Sequence, residues 1–341
     1  MFFIRVDANG IIGMGHLTRC LSIATALRDN GENVCFVMAD DSSKNIVETQ
    51  GFACKVLNTD YSNMEEELRV FVPLLQGAEA GLVLVDSYFV TNVYFEALRQ
   101  YCKVAYMDDF GKLKYNLDGI INGNIYGTDI PYKEQGINKH MECITGCAYT
   151  PLRREFLNAC RSEDADRILV TTGGSDPMHI TIEIVKEVLK RERLSECSYD
   201  IVCGRFNQDT EEIRRMCVDC PNIKIHQNVK DMWTLMERSK CAITAGGSTM
   251  YELAKMGIPM CSFSFVDNQE RIVQGFYNKG YSCCGCNYLE DGQGTIEELC
   301  DSLERLLSDP KEWDLRSERL MKLVDGYGSI RIAERLSAML G

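Results

Sequence analysis

The hydrophobic pattern of this chain alternates short apolar runs with segments of helical period. The first run, FFIRVD at 2–7, predicts a buried strand because it is short, largely apolar and followed by a turn signal. The segment from His16 to Asn30 then places its apolar side chains on one face of a helix, and Gly31 suits the helix end. Apolar strands that alternate with helices predict parallel sheets covered on both faces.

Further apolar runs form two series on either side of Pro151. At 341 residues the chain exceeds the length at which one hydrophobic core stops growing. We therefore predict an α/β protein of two Rossmann-like domains, 1–150 and 151–341, which face each other across a cleft. The remaining predicted strands are 33–39, 53–57, 81–86, 102–109 and 118–122 in the first series, and 167–174, 199–204, 222–228, 240–246 and 260–265 in the second.

Charge and composition narrow the possible partners. The formal net charge of −13 argues against nucleic acid and against an anionic membrane surface. No apolar run approaches the roughly 20 residues that cross a bilayer, and the N-terminus becomes charged at Arg5 and Asp7, unlike a signal peptide. We expect a cytoplasmic protein with a small-molecule partner, for which a monomer is a compatible state. Any phosphate site must then use helix N-termini and backbone amides.

The chain contains 17 cysteines, some of them in the clusters CVDC (217–220) and CCGC (283–286). A structural zinc site needs two cysteine pairs at close spacing, whereas these clusters lie more than sixty residues apart. Most other cysteines stand where small apolar residues would stand in strands and helices. We predict reduced thiols, many of them buried, and no metal.

A glycine loop precedes the first predicted helix in the stretch NGIIGMGHLTRC. Gly13 and Gly15 form a G-x-G pattern, but the third glycine of a dinucleotide-binding fingerprint is missing, so the pattern is weak support for such a site. His16 follows directly, at the carboxyl end of a strand, where ligands of open sheets bind. We interpret His16 as a functional residue facing the cleft; a histidine held by packing is the alternative.

The second domain contains a comparable loop in TAGGSTMYELAKMGIP, residues 244–259. Gly246 and Gly247 allow a ligand to approach the backbone closely. The hydroxyls of Ser248 and Thr249 stand beside free N–H groups at the helix start, and Glu252 lies one helical turn further on. This order suits a diphosphate at the helix start and a carboxylate on the ribose hydroxyls; a solvated Glu252 is the alternative. A second turn, TTGGSD (171–176), contributes Gly174 to the same cleft. The residues of the main loop are Gly246, Gly247, Ser248, Thr249 and Glu252.

Two acidic pairs bear on metal and on catalysis. Asp164 and Asp166 form an Asp-x-Asp triplet, but it precedes a strand and is best interpreted as a solvated turn. Asp108 and Asp109 follow a strand and are expected either to orient His16 or to hold a sugar hydroxyl, with surface carboxylates as the alternative.

Several motifs, in order along the chain, resemble one enzyme family. They are RVDANGIIGMGHLTRCLSIA, DSY (86–88), MDD (107–109), GCAYTPLRREF (146–156), GGSD (173–176), AGGSTMYELAKMGIP and DNQ (267–269). Together they resemble the UDP-2,4-diacetamido-2,4,6-trideoxy-β-L-altropyranose hydrolases of pseudaminic acid biosynthesis. That family has the GT-B fold and is related to the glycosyltransferase that forms lipid II.

The resemblance implies release of UDP from a UDP-sugar, with no metal or cofactor and with His16 as the base. It also implies that Asp86, Tyr88 and Asn268 contact substrate and that the Ser248–Glu252 stretch binds UDP. An imidazole suits this task because its ordinary pKa is about 6.5. Ala8 departs from the serine that the family prefers. Two alternatives stay open: a GT-B glycosyltransferase with a UDP-sugar donor, and a nucleotide-sugar-binding protein without catalysis.

Overall fold

The computed structural model describes residues 1–9, 12–111, 115–174, 176–204, 207–229 and 231–340. The chain divides into two compact units, one made of Met1–Arg154 with Gly326–Gly341 and the other of Glu155–Asp325. Each unit is built around its own parallel sheet with helical connections, which confirms the predicted fold class of two Rossmann-like α/β units.

The first unit contains a seven-stranded sheet whose neighbouring strands are all parallel, in the order β3-β2-β1-β4-β5-β6-β7. Its strands are β1 (Phe2–Val6), β2 (Val34–Met38), β3 (Ala53–Val56), β4 (Leu82–Asp86), β5 (Lys103–Met107), β6 (Gly119–Asn122) and β7 (Glu142–Thr145). The helices that connect them are α1 (Gly15–Asp29), α2 (Lys44–Thr49), α3 (Met64–Gly77), α4 (Asn92–Arg99) and α5 (Tyr132–Gln135).

The centre of this sheet positions the first candidate loop. Every residue of β1, β2 and β4 is buried, as expected for central strands covered on both faces. The strand order reverses between β1 and β4, and their register pairs Val6 with Asp86. The loop that leads into α1 and the end of β4 therefore lie side by side at the switch point, where open sheets bind ligands.

The second unit contains a six-stranded parallel sheet in the order β10-β9-β8-β11-β12-β13. Its strands are β8 (Arg167–Thr171), β9 (Ser198–Cys203), β10 (Ile223–Gln227), β11 (Ser239–Ala245), β12 (Met260–Ser264) and β13 (Ser282–Asn287). Its helices are α6 (Ile180–Lys190), α7 (Glu192–Ser195), α8 (Thr210–Met216), α9 (Met232–Glu237), α10 (Ser248–Lys255), α11 (Asp267–Asn278), α12 (Gly292–Ser308) and α13 (Pro310–Leu323).

Among the residues that the structure describes, two strands lie outside the predicted set. β7 has only four residues, and β13 has the sequence SCCGCN, which lacks the large aliphatic and aromatic side chains that mark an apolar run. Both are edge strands that pair with one neighbour, β6 and β12 respectively. β8 is also shorter than predicted, because it ends at Thr171 and the two glycines that follow lie outside the strand, Gly173 with φ +93°.

The last helix, α14 (Gly328–Ala338), belongs to the first unit rather than to the region 151–341. Its apolar face carries Ile332 and Leu336 into the same core as Leu17 of α1, and α14 packs against α1. A side chain at Gly328 would overlap the backbone of Thr150, so the helix start lies directly on the first unit. The chain passes from the first unit to the second after Arg154, four residues beyond the boundary predicted at residue 150.

Candidate functional site

His16 forms a hydrogen-bonded pair with Asp86 in the first unit. His16 stands in the first turn of α1 and Asp86 ends β4, so the β1–β4 pairing brings them together. His16 Nδ1 lies 2.5 Å from Asp86 Oδ1, and both residues are buried, with 8% of His16 exposed. A proton on Nδ1 that is donated to the carboxylate leaves the Nε2 lone pair free to accept another proton. This is the arrangement of a positioned general base.

Arg19 joins this pair from the same face of α1. Its Nε and Nη2 each donate to Asp86, over 2.6 Å, and its Nη1 donates to Asp109 Oδ1 over 2.9 Å. Burial acts to raise the pKa of Asp86, but the Arg19 charge and then His16 outweigh it and hold that pKa well below its ordinary value. Asp86 is therefore a carboxylate. Arg19 is absent from the residues predicted from sequence, although its i, i+3 spacing from His16 was a usable signal.

Tyr88 and Asp109 form the exposed side of the same cluster. The Tyr88 hydroxyl donates to Asp109 Oδ2 over 2.9 Å, and Asn124 donates to Asp109 Oδ1 over 3.1 Å. The Tyr88 ring meets the His16 imidazole edge-on, with centroids 4.5 Å apart. Burial, and then the Asp109 charge, raise the pKa of Tyr88, so its hydroxyl is a proton donor at neutral pH. For Asp109, the Arg19 charge outweighs burial and lowers the pKa.

Asp108 has different partners from Asp109. Its carboxylate accepts from the backbone N–H groups of Phe110 and Gly111, each over 2.9 Å, and from the Tyr132 hydroxyl over 2.6 Å. The side chain is buried, with 2% exposed. Asp108 thus stabilises the turn after β5, and it is Asp86, rather than Asp108 or Asp109, that holds His16 Nδ1.

The glycines of the first loop leave room beside the start of α1. Gly13 has φ +81°, which favours glycine, and its N–H donates to the Asn9 carbonyl over 2.9 Å. Among the described residues, no heavy atom lies within 4 Å of a Cβ built at Gly13 or Gly15, apart from their chain neighbours and the backbone of α1. Gly10 and Ile11, in the same motif, lie outside the described residues. The loop can therefore admit a ligand close to its backbone.

In the second unit, the predicted nucleotide loop runs from the end of β11 into α10. Gly247 precedes the helix with φ +152°, a conformation that side chains rarely adopt. Ser248 begins the helix and is exposed, whereas Glu252 is largely buried with 8% exposed. Gly246 has a packing role, because a Cβ there would lie 2.8 Å from the Gln269 side chain on α11. Thr249 is half-buried in the first turn.

Gly174 and Asn268 lie at the same edge of the second sheet, since β8 and β12 both pair in parallel with β11. The carbonyl oxygens of Gly173 and Gly174 approach Gly204 so closely that a Cβ at Gly204 would lie 2.3 Å from each. Asn268 is exposed in the first turn of α11. Ser175, in the same GGSD motif as Gly174, lies outside the described residues. The predicted contacts of the second domain are therefore grouped at one sheet edge.

The cysteines, acidic residues and histidines bear on the question of a metal. Within the part of the chain that the structure describes, no group of three or more His, Cys, Asp or Glu side chains is arranged to hold a metal ion. All 17 cysteines are free thiols, and Cys160 is exposed.

In the part of the chain that the structure describes, no helix is both long and apolar enough to cross a membrane.

No protein-family model matches the chain. It is 24% identical over 304 residues to the uncharacterized protein MJ1062 of Methanocaldococcus jannaschii, which covers 85% of this chain and 60% of that protein. The chain thus spans less than two thirds of that relative's length. It is 29% identical over 238 residues to the spore coat polysaccharide biosynthesis protein SpsG of Bacillus subtilis, with 67% of each chain covered.

Solved structures match the whole length of the chain. The crystal structure of Acinetobacter baumannii MurG matches with a TM-score of 0.70 at 14% identity, covering 99% of both chains. The spinosyn rhamnosyltransferase SpnG, complexed with thymidine diphosphate, matches with a TM-score of 0.62 at 14% identity, covering 100% of this chain and 99% of that one. The chain therefore has the GT-B fold of glycosyltransferases that these structures share.

Proposed function

We propose that this protein hydrolyses a UDP-linked sugar to UDP and the free sugar, with His16 as the general base. The substrate expected from the motif resemblance is a UDP-diacetamido-trideoxy sugar, UDP-2,4-diacetamido-2,4,6-trideoxy-β-L-altropyranose. The observation that carries the proposal is the 2.5 Å contact between His16 Nδ1 and Asp86 Oδ1. Because an ionised carboxylate can only accept, we assign the proton to Nδ1 and the acceptor role to Nε2. The similarity to SpsG, a polysaccharide biosynthesis protein, agrees with sugar-nucleotide chemistry.

The proposed step is a direct displacement at the anomeric carbon. A water oxygen bonds to that carbon while its proton passes to His16 Nε2, and the bond from the carbon to the UDP oxygen breaks with its electron pair on UDP. Asp86 stabilises the imidazolium that forms. UDP is a good leaving group, so the site need not protonate it strongly.

The UDP moiety is assigned to the second unit. Backbone N–H groups at the start of α10 and the hydroxyls of Ser248 and Thr249 would offset the diphosphate charge, a role that a metal plays elsewhere. Glu252, one turn along α10 from Ser248, would accept hydrogen bonds from the ribose hydroxyls. This assignment follows the order of strand, glycine pair, hydroxyl pair and acid along the chain.

A second candidate function is transfer of the sugar to an acceptor. It is favoured by the fold, because MurG and SpnG share it and SpnG is a rhamnosyltransferase. Incubation with UDP-sugars alone separates the two functions. A hydrolase releases UDP without any acceptor, whereas a transferase releases it at a useful rate only after an acceptor is added, and a binding protein releases none.

The mechanism is tested by the variant His16→Asn and by isotope labelling. General-base catalysis contributes about 10²–10⁴-fold, so we expect a loss of that size in kcat with UDP still bound. The exposed His140 in the same unit provides the control variant His140→Asn, which should retain activity. In ¹⁸O-labelled water the label should enter the sugar. Label in the phosphate of UDP, or full turnover by His16→Asn, would contradict the assignment.

A further inference from the structure

A group of cysteines meets where β12 pairs with β13. The register is irregular between the pairs Met260–Ser282 and Ser262–Gly285, so the single residue Cys261 lies opposite two residues, Cys283 and Cys284. Cys261 and Cys284 lie in the same core cluster of the second unit, and Cys283 packs against that cluster. Neighbouring strands lie about 4.8 Å apart, which falls within the Cα separation of about 4.4–6.8 Å that a disulfide spans. The register therefore places Cys261 beside two cysteines of the neighbouring strand, at a strand spacing that a disulfide can span.

One of these thiols lines a cavity. Cys283 borders a space of about 200 Å³ whose charged lining residues are Arg305, Arg316, Asp309 and Glu312. Arg316 Nε pairs with Glu312 Oε1 over 2.7 Å. Arg316 donates from Nη1 to the Ser282 carbonyl over 2.9 Å, which holds its guanidinium next to Cys283. Cys261, by contrast, is fully buried. A water molecule takes about 30 Å³ of liquid volume, so the cavity has room for a molecule the size of hydrogen peroxide.

The electrostatics divide the roles of the two thiols. The hydrogen bond with Cys261 lowers the pKa of Cys283, and the Arg316 charge acts in the same direction against burial. Hydrogen bonds to Cys283 and Cys284, and then burial, raise the pKa of Cys261. Thiolates are the nucleophiles in thiol chemistry, and an exposed, cation-flanked thiolate is the usual target of oxidants. Hydrogen bonds to Cys261 and Cys286 also hold the pKa of Cys284 well below its ordinary value, but Cys284 is buried whereas Cys283 borders the cavity. This access gives Cys283 the features of the attacking sulfur, with Cys261 as the resolving one.

We propose that Cys283 and Cys261 form a peroxide-sensitive dithiol. The Cys283 thiolate attacks one oxygen of hydrogen peroxide, the O–O bond breaks, and the released hydroxide takes up a proton as water, which leaves a sulfenic acid. The Cys261 sulfur then attacks the Cys283 sulfur, loses its proton, and displaces the hydroxyl as a second water. Overall, two thiols and one peroxide give one disulfide and two waters.

Peptide mapping of the full-length protein tests this proposal. The folded chain is treated with hydrogen peroxide, remaining thiols are alkylated, and the unreduced protein is digested with trypsin. We expect the peptide 256–271, which contains Cys261, to be linked to the peptide 280–305, which contains Cys283. The linked mass should equal the sum of the two peptides less two hydrogens, with alkyl groups added on Cys284, Cys286 and Cys300, and dithiothreitol should remove the link. Cys160, which is exposed, should stay outside the link and serves as an internal reference.

Single variants assign the two sulfurs. Cys283→Ser should lose the linked peptide pair, whereas Cys284→Ser should keep it. Cys261→Ser should stop at the sulfenic acid, which dimedone traps on peptide 280–305. Absence of the link in the oxidised wild-type protein would overturn the proposal, and so would a link that persists in Cys283→Ser. If a variant does not fold, dimedone labelling of the wild-type chain at low peroxide tests the same point, because a label on other cysteines alone would also overturn the proposal.

Discussion

Replacing Asp86 with asparagine removes a charge and leaves the shape of the side chain almost unchanged. In the native protein the Asp86 carboxylate accepts from His16 Nδ1 and twice from Arg19, all over 2.5–2.6 Å. Asparagine offers one acceptor oxygen and an NH₂ group that cannot accept. The variant Asp86→Asn therefore weakens the hold on the Nδ1 proton and leaves the imidazolium of the transition state without its counter-charge.

The size of the effect follows from these contacts. A hydrogen bond to a charged group contributes about 1.5–3 kcal/mol, and each 1.4 kcal/mol changes a rate tenfold. We therefore expect kcat for UDP release to fall about 10- to 150-fold. Affinity for UDP should stay within about twofold, because UDP is assigned to residues of the other unit. Steady-state kinetics and calorimetry with UDP measure the two quantities separately.

The second unit offers a matched control in Asp200. This carboxylate is also fully buried, and it accepts from His226 Nε2 over 2.6 Å, from Arg167 over 2.7 Å and from Arg238 over 2.8 Å. Asp200→Asn removes the same kind of charge network from a site without a proposed catalytic role. Thermal unfolding should show that both variants lose stability, while only Asp86→Asn loses kcat at a temperature where both are folded. Wild-type kcat in Asp86→Asn, or an equal loss in Asp200→Asn, would refute the assigned role of Asp86.

Three further predictions concern the nucleotide, metal and pH. Glu252→Ala should weaken UDP binding about 10- to 150-fold by calorimetry, whereas the exposed control Glu334→Ala should not; unchanged affinity would remove Glu252 from the site. UDP release should persist in excess EDTA, and a loss that magnesium or manganese restores would contradict metal-free catalysis. Asp86 and Asp200 have lowered pKa values in the fold, so their stabilisation is complete above the unfolded value of about 3.9 and is lost as pH falls towards the folded value. The urea concentration at the unfolding midpoint should therefore decrease as the pH is lowered below about 5, and it should decrease less steeply in Asp86→Asn or Asp200→Asn. A wild-type midpoint that does not change with pH in this range would contradict this.

The sequence by itself determined the fold class and the positions of the central strands. The runs at 2–7, 33–39 and 81–86 correspond to β1, β2 and β4, because a strand buried on both faces must be apolar along its length. Local pattern also located the glycine loop before α1. The edge strand β13 was not predicted from the sequence, because its residues do not form an apolar run. It is a strand because it pairs with β12.

Only the tertiary structure decided which side chains act on which. His16 and Asp86 are 70 residues apart, and no local pattern says that Asp86, rather than Asp108, meets the imidazole. The parallel β1–β4 pairing makes that choice, because it brings the ends of two distant strands to adjacent positions. Arg19 and the return of α14 to the first unit depend on contacts of the same kind. The periodicity of a segment indicates which of its side chains are buried. The order of strands in the folded sheet decides which other element packs against those side chains.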